Sequence, residues 1–118
     1  MNASLRTRQA TLGTLLLVAA LRVTAQDAEL PPFPKELLGD AQYEAEGKEV
    51  FGKICKFCHG KSAYPGKAPK LNPARYTPEF VFDRVTNGFR GMPSFKEQFS
   101  DRERQAVTTF VMSKNFSN

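Results

Sequence analysis

Both cysteines of the chain and its single histidine lie in one short segment, Cys55-Lys56-Phe57-Cys58-His59. On a helix, positions i, i+3 and i+4 share a face, so the two thiols and the imidazole would point to the same side. Two thiols at this spacing can form thioethers with the vinyl groups of a haem, while the imidazole binds its iron. The C-x-x-C-H pattern therefore predicts covalent attachment of one haem c, with His59 as an iron ligand.

Three other uses of this motif are less favoured. A zinc site needs four protein ligands, and the chain has no further cysteine or histidine to complete one. A thioredoxin-like redox pair of cysteines normally lies in a β–α–β unit, and the hydropathy pattern shows no such strands. A structural disulfide would leave His59 beside the cysteines by coincidence. Haem attachment is therefore the favoured interpretation.

The methionines supply the candidates for a second iron ligand. Met92 lies between Gly91 and Pro93 in a predicted loop, where glycine permits close backbone approach and proline stiffens the chain. Met112 lies on the predicted last helix, where ordinary core packing accounts for it better. We therefore expect Met92 to bind the iron opposite His59. Two protein ligands would fill the coordination sphere, which favours electron transfer and predicts no catalysis by this chain alone.

The first 25 residues have the pattern of a secretory signal peptide. Arg6 and Arg8 precede an apolar run over 10–21, and a small-residue cleavage site ends at Ala25. The apolar run is shorter than the roughly 20 residues that a membrane span needs. We therefore expect cleavage of residues 1–25, export to the periplasm and no membrane span after cleavage.

Length and charge limit the remaining possibilities. A chain of 118 residues suits one small domain. The formal charge is +5, but three arginines lie in the leader without any acid, which leaves +2 for the remainder. This balance is too even for the concentrated basic face of a nucleic-acid-binding protein, so no nucleic-acid partner is expected.

The rest of the chain predicts an all-α fold of three main helices with long loops. Residues 26–41 are rich in proline and are predicted to form an N-terminal arm, and residues 42–118 form the domain. The first helix runs from Tyr43 through the cysteine motif, Thr77-Pro78 begins the second, and a capping box at Ser100–Glu103 begins the third. The predicted inner faces are Gly47, Val50, Phe51 and Ile54; Phe80, Val81, Phe82 and Val85; and Ala106, Val107, Phe110 and Val111.

From about Tyr43 to Phe116, these motifs resemble those of class I c-type cytochromes. The resemblance implies a small fold around one covalently bound haem, in which the first and last helices cross at a small residue and aromatic rings. Gly47, Phe51 and Phe110 match the positions of that crossing.

The resemblance extends to the segment after the haem motif, where the family has a Gly-Pro-x-Leu stretch. Here Pro69 and Leu71 match it, and Ala68 replaces the glycine. The resemblance implies that the Pro69 carbonyl accepts the Nδ1 proton of His59 and that Leu71 packs on the haem.

Residues 87–95 and the acidic helix start that follows them are similar to the cytochrome subunits of p-cresol methylhydroxylase-type flavocytochromes. In those enzymes a flavoprotein subunit oxidises a phenolic substrate and passes single electrons to the cytochrome, which implies a flavoprotein dehydrogenase as partner here. A diffusible shuttle to a terminal oxidase and a haem-based ligand-binding or sensor protein are the alternatives. A group of lysines surrounds the motif and forms either a solvated rim or a docking patch for an acidic partner: Lys53, Lys56, Lys61, Lys67 and Lys70.

Overall fold

The computed structural model describes residues 30–60 and 67–116. The predicted leader at 1–25 and residues 61–66, which include Lys61, lie outside these ranges. The helices are α1 (Ala41–Val50), α2 (Lys56–His59), α3 (Pro78–Asn87) and α4 (Asp101–Met112), with short 3₁₀ turns at Lys35–Leu37 and Pro73–Arg75. A π-helical segment, Phe51–Cys55, joins α1 to α2. The described ranges contain no strand, and the predicted all-α fold with three main helices is confirmed.

Local capping determines where the three main helices begin. Asp40 caps α1 by accepting the backbone N–H groups of Gln42 and Tyr43, both at 2.9 Å, so this helix starts two residues before the predicted Tyr43. Thr77 caps α3 as predicted, by accepting the backbone N–H of Phe80 at 3.2 Å.

The predicted capping box of α4 is also present. The Ser100 hydroxyl accepts the Glu103 N–H at 3.2 Å, and the Glu103 carboxylate accepts the Ser100 N–H at 2.9 Å. Two of the backbone donors at the start of α4 are thereby satisfied by side chains that lie three residues apart.

Helices α1 and α4 pack against each other at a residue without a side chain. A Cβ atom on Gly47 would overlap the Ala106 carbonyl and lie 2.7 Å from the Phe110 Cβ. Beside this contact, the rings of Phe51, Phe110 and Phe116 meet edge to face, with centroids 5.4–5.8 Å apart. The predicted helix crossing is therefore built from the expected residues.

The inner face of α4 is wider than its apolar residues indicated. All four predicted core residues of this helix are buried, and three polar side chains, Arg104, Thr108 and Thr109, are buried with them. Arg104 pairs with Asp101 and donates from Nη1 to the Thr86 hydroxyl of α3 at 3.0 Å. A charged residue in the first turn of a helix usually faces water, and here its partners on two helices hold it inside.

Part of the proline-rich arm packs on α3. Phe33 is 5% exposed, and its ring meets the ring of Phe82 edge to face at 5.9 Å. Lys35 lies 3.5 Å from the Glu79 carboxylate at the first turn of the same helix. No helix in the described residues is long and apolar enough to cross a membrane.

Candidate functional site

The cysteine motif lies at the C-terminal end of one continuous helical stretch. Its last turns widen, because the Lys56 N–H donates to the carbonyl of Phe51, five residues earlier. Cys55 ends this π-helical segment half-buried against the core, and Cys58 is exposed on α2. Both carry free thiols. The helix ends directly after His59, where Gly60 has a φ of +80° that ordinary residues adopt only with strain.

One ring nitrogen of His59 is hydrogen-bonded to the backbone of a neighbouring loop. Its Nδ1 lies 3.3 Å from the Pro69 carbonyl oxygen. A carbonyl can only accept, so Nδ1 carries the proton and Nε2 carries the lone pair that can bind a metal. The Ala68 N–H donates to the Cys58 carbonyl at 2.8 Å, which ties Pro69 to the end of the motif.

Burial makes the imidazole of His59 a suitable neutral ligand. It lowers the pKa of His59, and the hydrogen bond to Pro69 offsets only part of this effect. The uncharged form therefore predominates at neutral pH, and a histidine must be uncharged to bind a metal.

The predicted loop ligand, Met92, is held by a short backbone ladder. The Phe89 N–H donates to the Met92 carbonyl at 2.9 Å, and the Met92 N–H donates to the Phe89 carbonyl at 3.0 Å. The ladder begins after Gly88, whose φ is +74°, and a Cβ there would lie 2.6 Å from the Met92 oxygen. Only glycine fits this turn without strain. Met92 itself is half-buried.

The chain after Met92 is anchored back onto α3. The Ser94 hydroxyl donates to the Thr86 carbonyl at 2.6 Å, and the Phe95 N–H donates to the Val85 carbonyl at 3.1 Å. Phe95 is buried in the same core. The Met92 segment is therefore fixed at both ends.

Comparison with known proteins identifies the family of most of the domain. The family described as "Cytochrome C oxidase, cbb3-type, subunit III" matches residues 42–111, which is more than half of the chain. The chain belongs to this cytochrome c family. The domain is thus an electron carrier, and the family implies haem c as its cofactor.

Several relatives are themselves cytochromes or parts of dehydrogenases. The cytochrome c subunit of 4-cresol dehydrogenase [hydroxylating] from Pseudomonas putida is 34% identical over 68 residues, 55% of this chain and 58% of that protein. Cytochrome c6 of Leptolyngbya boryana is 35% identical over 77 residues, 59% of this chain and 91% of that protein.

Two further similarities cover other lengths. Quinohemoprotein alcohol dehydrogenase ADH IIB of Pseudomonas putida is 28% identical over 115 residues, 87% of this chain but only 17% of that protein. The solved structure of the KustC0563 c-type cytochrome superposes with a TM-score of 0.53 at 24% identity, over 61% of this chain and 98% of that chain. The latter supports the cytochrome fold alone.

The residues of this cytochrome c domain fit a haem. A flat, largely apolar macrocycle needs apolar side chains that are only partly covered by protein. The described residues include such a set, all half-buried and packed against the core: Ile54, Cys55, Leu71, Tyr76, Phe80, Met92, Phe99 and Met112.

The thiol chemistry of the cytochrome c domain argues against a redox dithiol. Burial raises the pKa of the Cys55 thiol to about 11. A cysteine that attacks disulfides has a lowered pKa, because the thiolate is the nucleophile. Cys55 is therefore protonated at neutral pH and does not have the environment of a thioredoxin-like nucleophile.

One feature near Met92 has no counterpart in the sequence predictions. The Arg84 guanidinium on α3 lies 4.7 Å from the Phe80 ring centroid and 4.3 Å from that of Phe89. Arg90, at the tip of the same loop, lies 5.0 Å from the Phe89 ring and has a φ of +53°. The contact between Arg84 and Phe89 depends on how the chain turns after α3, so sequence spacing alone did not reveal it.

Proposed function

We propose that the chain is an exported monohaem cytochrome c that receives single electrons from a flavoprotein dehydrogenase and passes them to a downstream acceptor. Cys55 and Cys58 hold one haem covalently, and His59 and Met92 are the two iron ligands. When bound, haem c supplies an iron that takes up and releases one electron. Pro69 fixes the imidazole of His59, and Leu71 covers part of the ring.

The contact between His59 and Pro69 is the main support for this assignment. The 3.3 Å distance from Nδ1 to the carbonyl orients the ring and leaves Nε2 free. The half-buried thioether of Met92 supplies a second, neutral ligand on a loop that the Phe89 ladder holds. A thioether ligand favours ferrous iron and raises the reduction potential.

The covalent attachment is tested by mass and by spectrum. The exported protein, made in a host that attaches haem, should exceed its polypeptide mass by one haem and stain for haem on a denaturing gel. A Cys55→Ser/Cys58→Ser variant should lose both signals. A wild-type protein with the mass of its amino acids alone would overturn the proposal.

The choice of Met92 has a matched control in Met112, which is also half-buried and packs against the core. Ferric wild-type protein should show the absorption band near the red end of the visible range that marks a sulfur–iron bond. Met92→Ala should abolish that band, and Met112→Ala should keep it. A Met92→Ala variant that retains the band would remove Met92 from this role. A wild-type protein without the band would favour the ligand-binding or sensor alternative.

If the chain is exported as proposed, the mature protein should have a defined N-terminus. Cleavage after Ala25 would give a periplasmic protein that begins at Gln26. N-terminal analysis of the protein from the periplasmic fraction tests this. Recovery from the cytoplasm with residues 1–25 attached would contradict it.

The partner assignment is supported by the similarity to the 4-cresol dehydrogenase cytochrome subunit. An exposed aromatic ring and a cation near the motif provide a contact surface: Phe57 is 67% exposed, and the Lys56 amine lies 5.5 Å from its ring centroid. Lys53, Lys67 and Lys70 are exposed as well.

Purification distinguishes a permanent subunit from a diffusible shuttle. A subunit should co-purify with a flavin-containing dehydrogenase at fixed stoichiometry. A free monomer whose reduction by the dehydrogenase slows as salt rises would support the shuttle, because salt screens the lysines.

A further inference from the structure

The side chain of Arg84 is partly buried, with 31% of its surface exposed. Its guanidinium lies within 5 Å of the ring centroids of both Phe80 and Phe89, and Nη1 lies 3.1 Å from the Asp83 carboxylate. Its Nε is buried and finds no acceptor within residues 30–60 and 67–116. Burying that group is unfavourable by itself, so the two aromatic contacts must offset the loss of water.

The backbone of Arg84 acts on the same turn as its side chain. Its carbonyl accepts the Gly88 N–H at 2.9 Å, which ends α3. The chain then turns at Gly88 and places Phe89 back over the guanidinium. Arg84 therefore contacts Phe89, the second residue beyond α3, through its side chain, and its carbonyl accepts the N–H of Gly88, the first residue beyond the helix.

Phe89 connects this contact to Met92. The two residues exchange both backbone hydrogen bonds, at 2.9 and 3.0 Å, so Met92 cannot leave the fold without breaking its ladder to Phe89. Phe89 is 49% exposed, and the guanidinium groups of Arg84 and Arg90 lie over its ring. The stack with Arg84 attaches this ring to α3.

We infer that Arg84 is a positioning residue for the Met92 loop: through the Phe89 ring it limits how often the loop opens. The inference rests on the proposed ligation of iron by Met92. Arg84 acts on the ligand through Phe89, and it need not touch the iron or the substrate of any partner.

Imidazole binding to the ferric holoprotein measures this opening directly. Added imidazole takes the iron position of a methionine only when the loop is open, so its apparent affinity rises with the open fraction. Arg84→Leu should bind imidazole about tenfold more tightly than wild type, because the partly buried cation–π contact with Phe89 is lost from the closed loop. Arg84→Lys keeps the charge without the planar stack and should show an effect of about threefold.

Arg102 provides a matched control. Its guanidinium also lies over an aromatic ring, 4.5 Å from the Tyr43 centroid, and it pairs with Glu46 at 2.9 Å, but it joins α4 to α1. Arg102→Leu should leave imidazole affinity unchanged. An equal rise in Arg102→Leu, or no rise in Arg84→Leu, would overturn the inference.

A double-variant cycle separates a positioning role from a direct effect of charge. In a Phe89→Leu background, Arg84→Leu should add less than about twofold to imidazole affinity, because the contact is already absent. A full additional effect in that background would mean that Arg84 acts by another route. A wild-type protein without the sulfur–iron band would defeat the proposed Met92 ligation. A wild-type band with an unresponsive Arg84→Leu defeats this inference alone.

Discussion

The α1–α4 contact and the segments around His59 and Met92 differ in how completely the protein buries their side chains. At the helix contact, Gly47 lies against the backbone of Ala106, and Val107 is only 1% exposed. In contrast, His59 and Met92 are only half-buried, as are the apolar side chains of Leu71 and Phe80. Neither ligand side chain is fully enclosed.

This difference separates the contacts that hold the fold from those that we propose to hold the cofactor. The helix contact is complete without another molecule, so its substitutions should lower global stability. We expect the second region to gain further burial from the haem, since protein contacts leave its apolar groups partly exposed. Substitutions there should change iron ligation before they change the unfolding of the whole domain.

The largest expected effect is at the helix contact. Gly47→Ala places a methyl group on the Ala106 carbonyl, so α1 and α4 must separate. We expect a loss of about 3 kcal/mol in the free energy of unfolding, measured by denaturant titration of the holoprotein. Gly52→Ala is the control, because a Cβ at Gly52 meets nothing within 4 Å. Equal destabilisation by both variants would contradict the assigned contact.

The second region is tested at the turn before Met92. Gly88→Ala places a Cβ at a positive φ and against the backbones of Met92 and Pro93. We expect it to lower the free energy of unfolding by about 2 kcal/mol and to weaken the sulfur–iron band. Gly91→Ala meets nothing within 4 Å and should change stability by less than about 0.5 kcal/mol. If Gly88→Ala destabilised the domain but kept the band at full intensity, the two regions would not differ as described.

The smallest expected effect is the pH dependence of the α4 capping box. Hydrogen bonds from Ser100 lower the pKa of Glu103 below its usual value. A carboxyl group with a lower pKa in the folded state stabilises the fold above its ordinary pKa, and this contribution is lost as the pH falls through the folded value. Glu103→Gln should therefore have a slightly lower unfolding midpoint at neutral pH, and the difference from wild type should vanish in acid.

Glu97→Gln, which changes an exposed loop carboxylate, is the matched control. Its unfolding midpoint should run parallel to that of wild type across the same pH range. A Glu103→Gln curve that stays parallel to wild type into acid would show that the capping carboxylate contributes no pH-dependent stability.

Local signals in the sequence predicted the helix starts well, because a cap depends on residues within one turn. Thr77 and Ser100 were identified in this way. The fit of Gly47 against α4 also followed, through the family resemblance. The π-helical segment Phe51–Cys55 was missed, since the apolar residues before it recur at ordinary α-helical spacing and no sequence motif marks the wider turn. The burial of Arg104 was missed because Thr86, one of its partners, lies on another helix.

The candidate site shows the same division. Cys55, Cys58 and His59 lie within five consecutive residues, so their spacing alone predicts haem attachment. Their relation to Pro69 required the family resemblance, because a loop separates them. The Arg84 stack on Phe89 depends on how Gly88 turns the chain. The Asn87-Gly88 pair is typical of a helix end, but it does not specify which ring the turn places over Arg84.

The wider turn at Phe51–Cys55 changes which side of the helical stretch its later residues occupy. Each residue of an α-helix advances about 100° around the axis, so one additional residue in a turn rotates everything after it by about that angle. Gly47 can thus stay against α4 while Cys58 and His59 are presented along a rotated face, without a break in the helix. Changes of residue type in this turn should be tolerated much better than a change in its length, which would put the two faces out of phase.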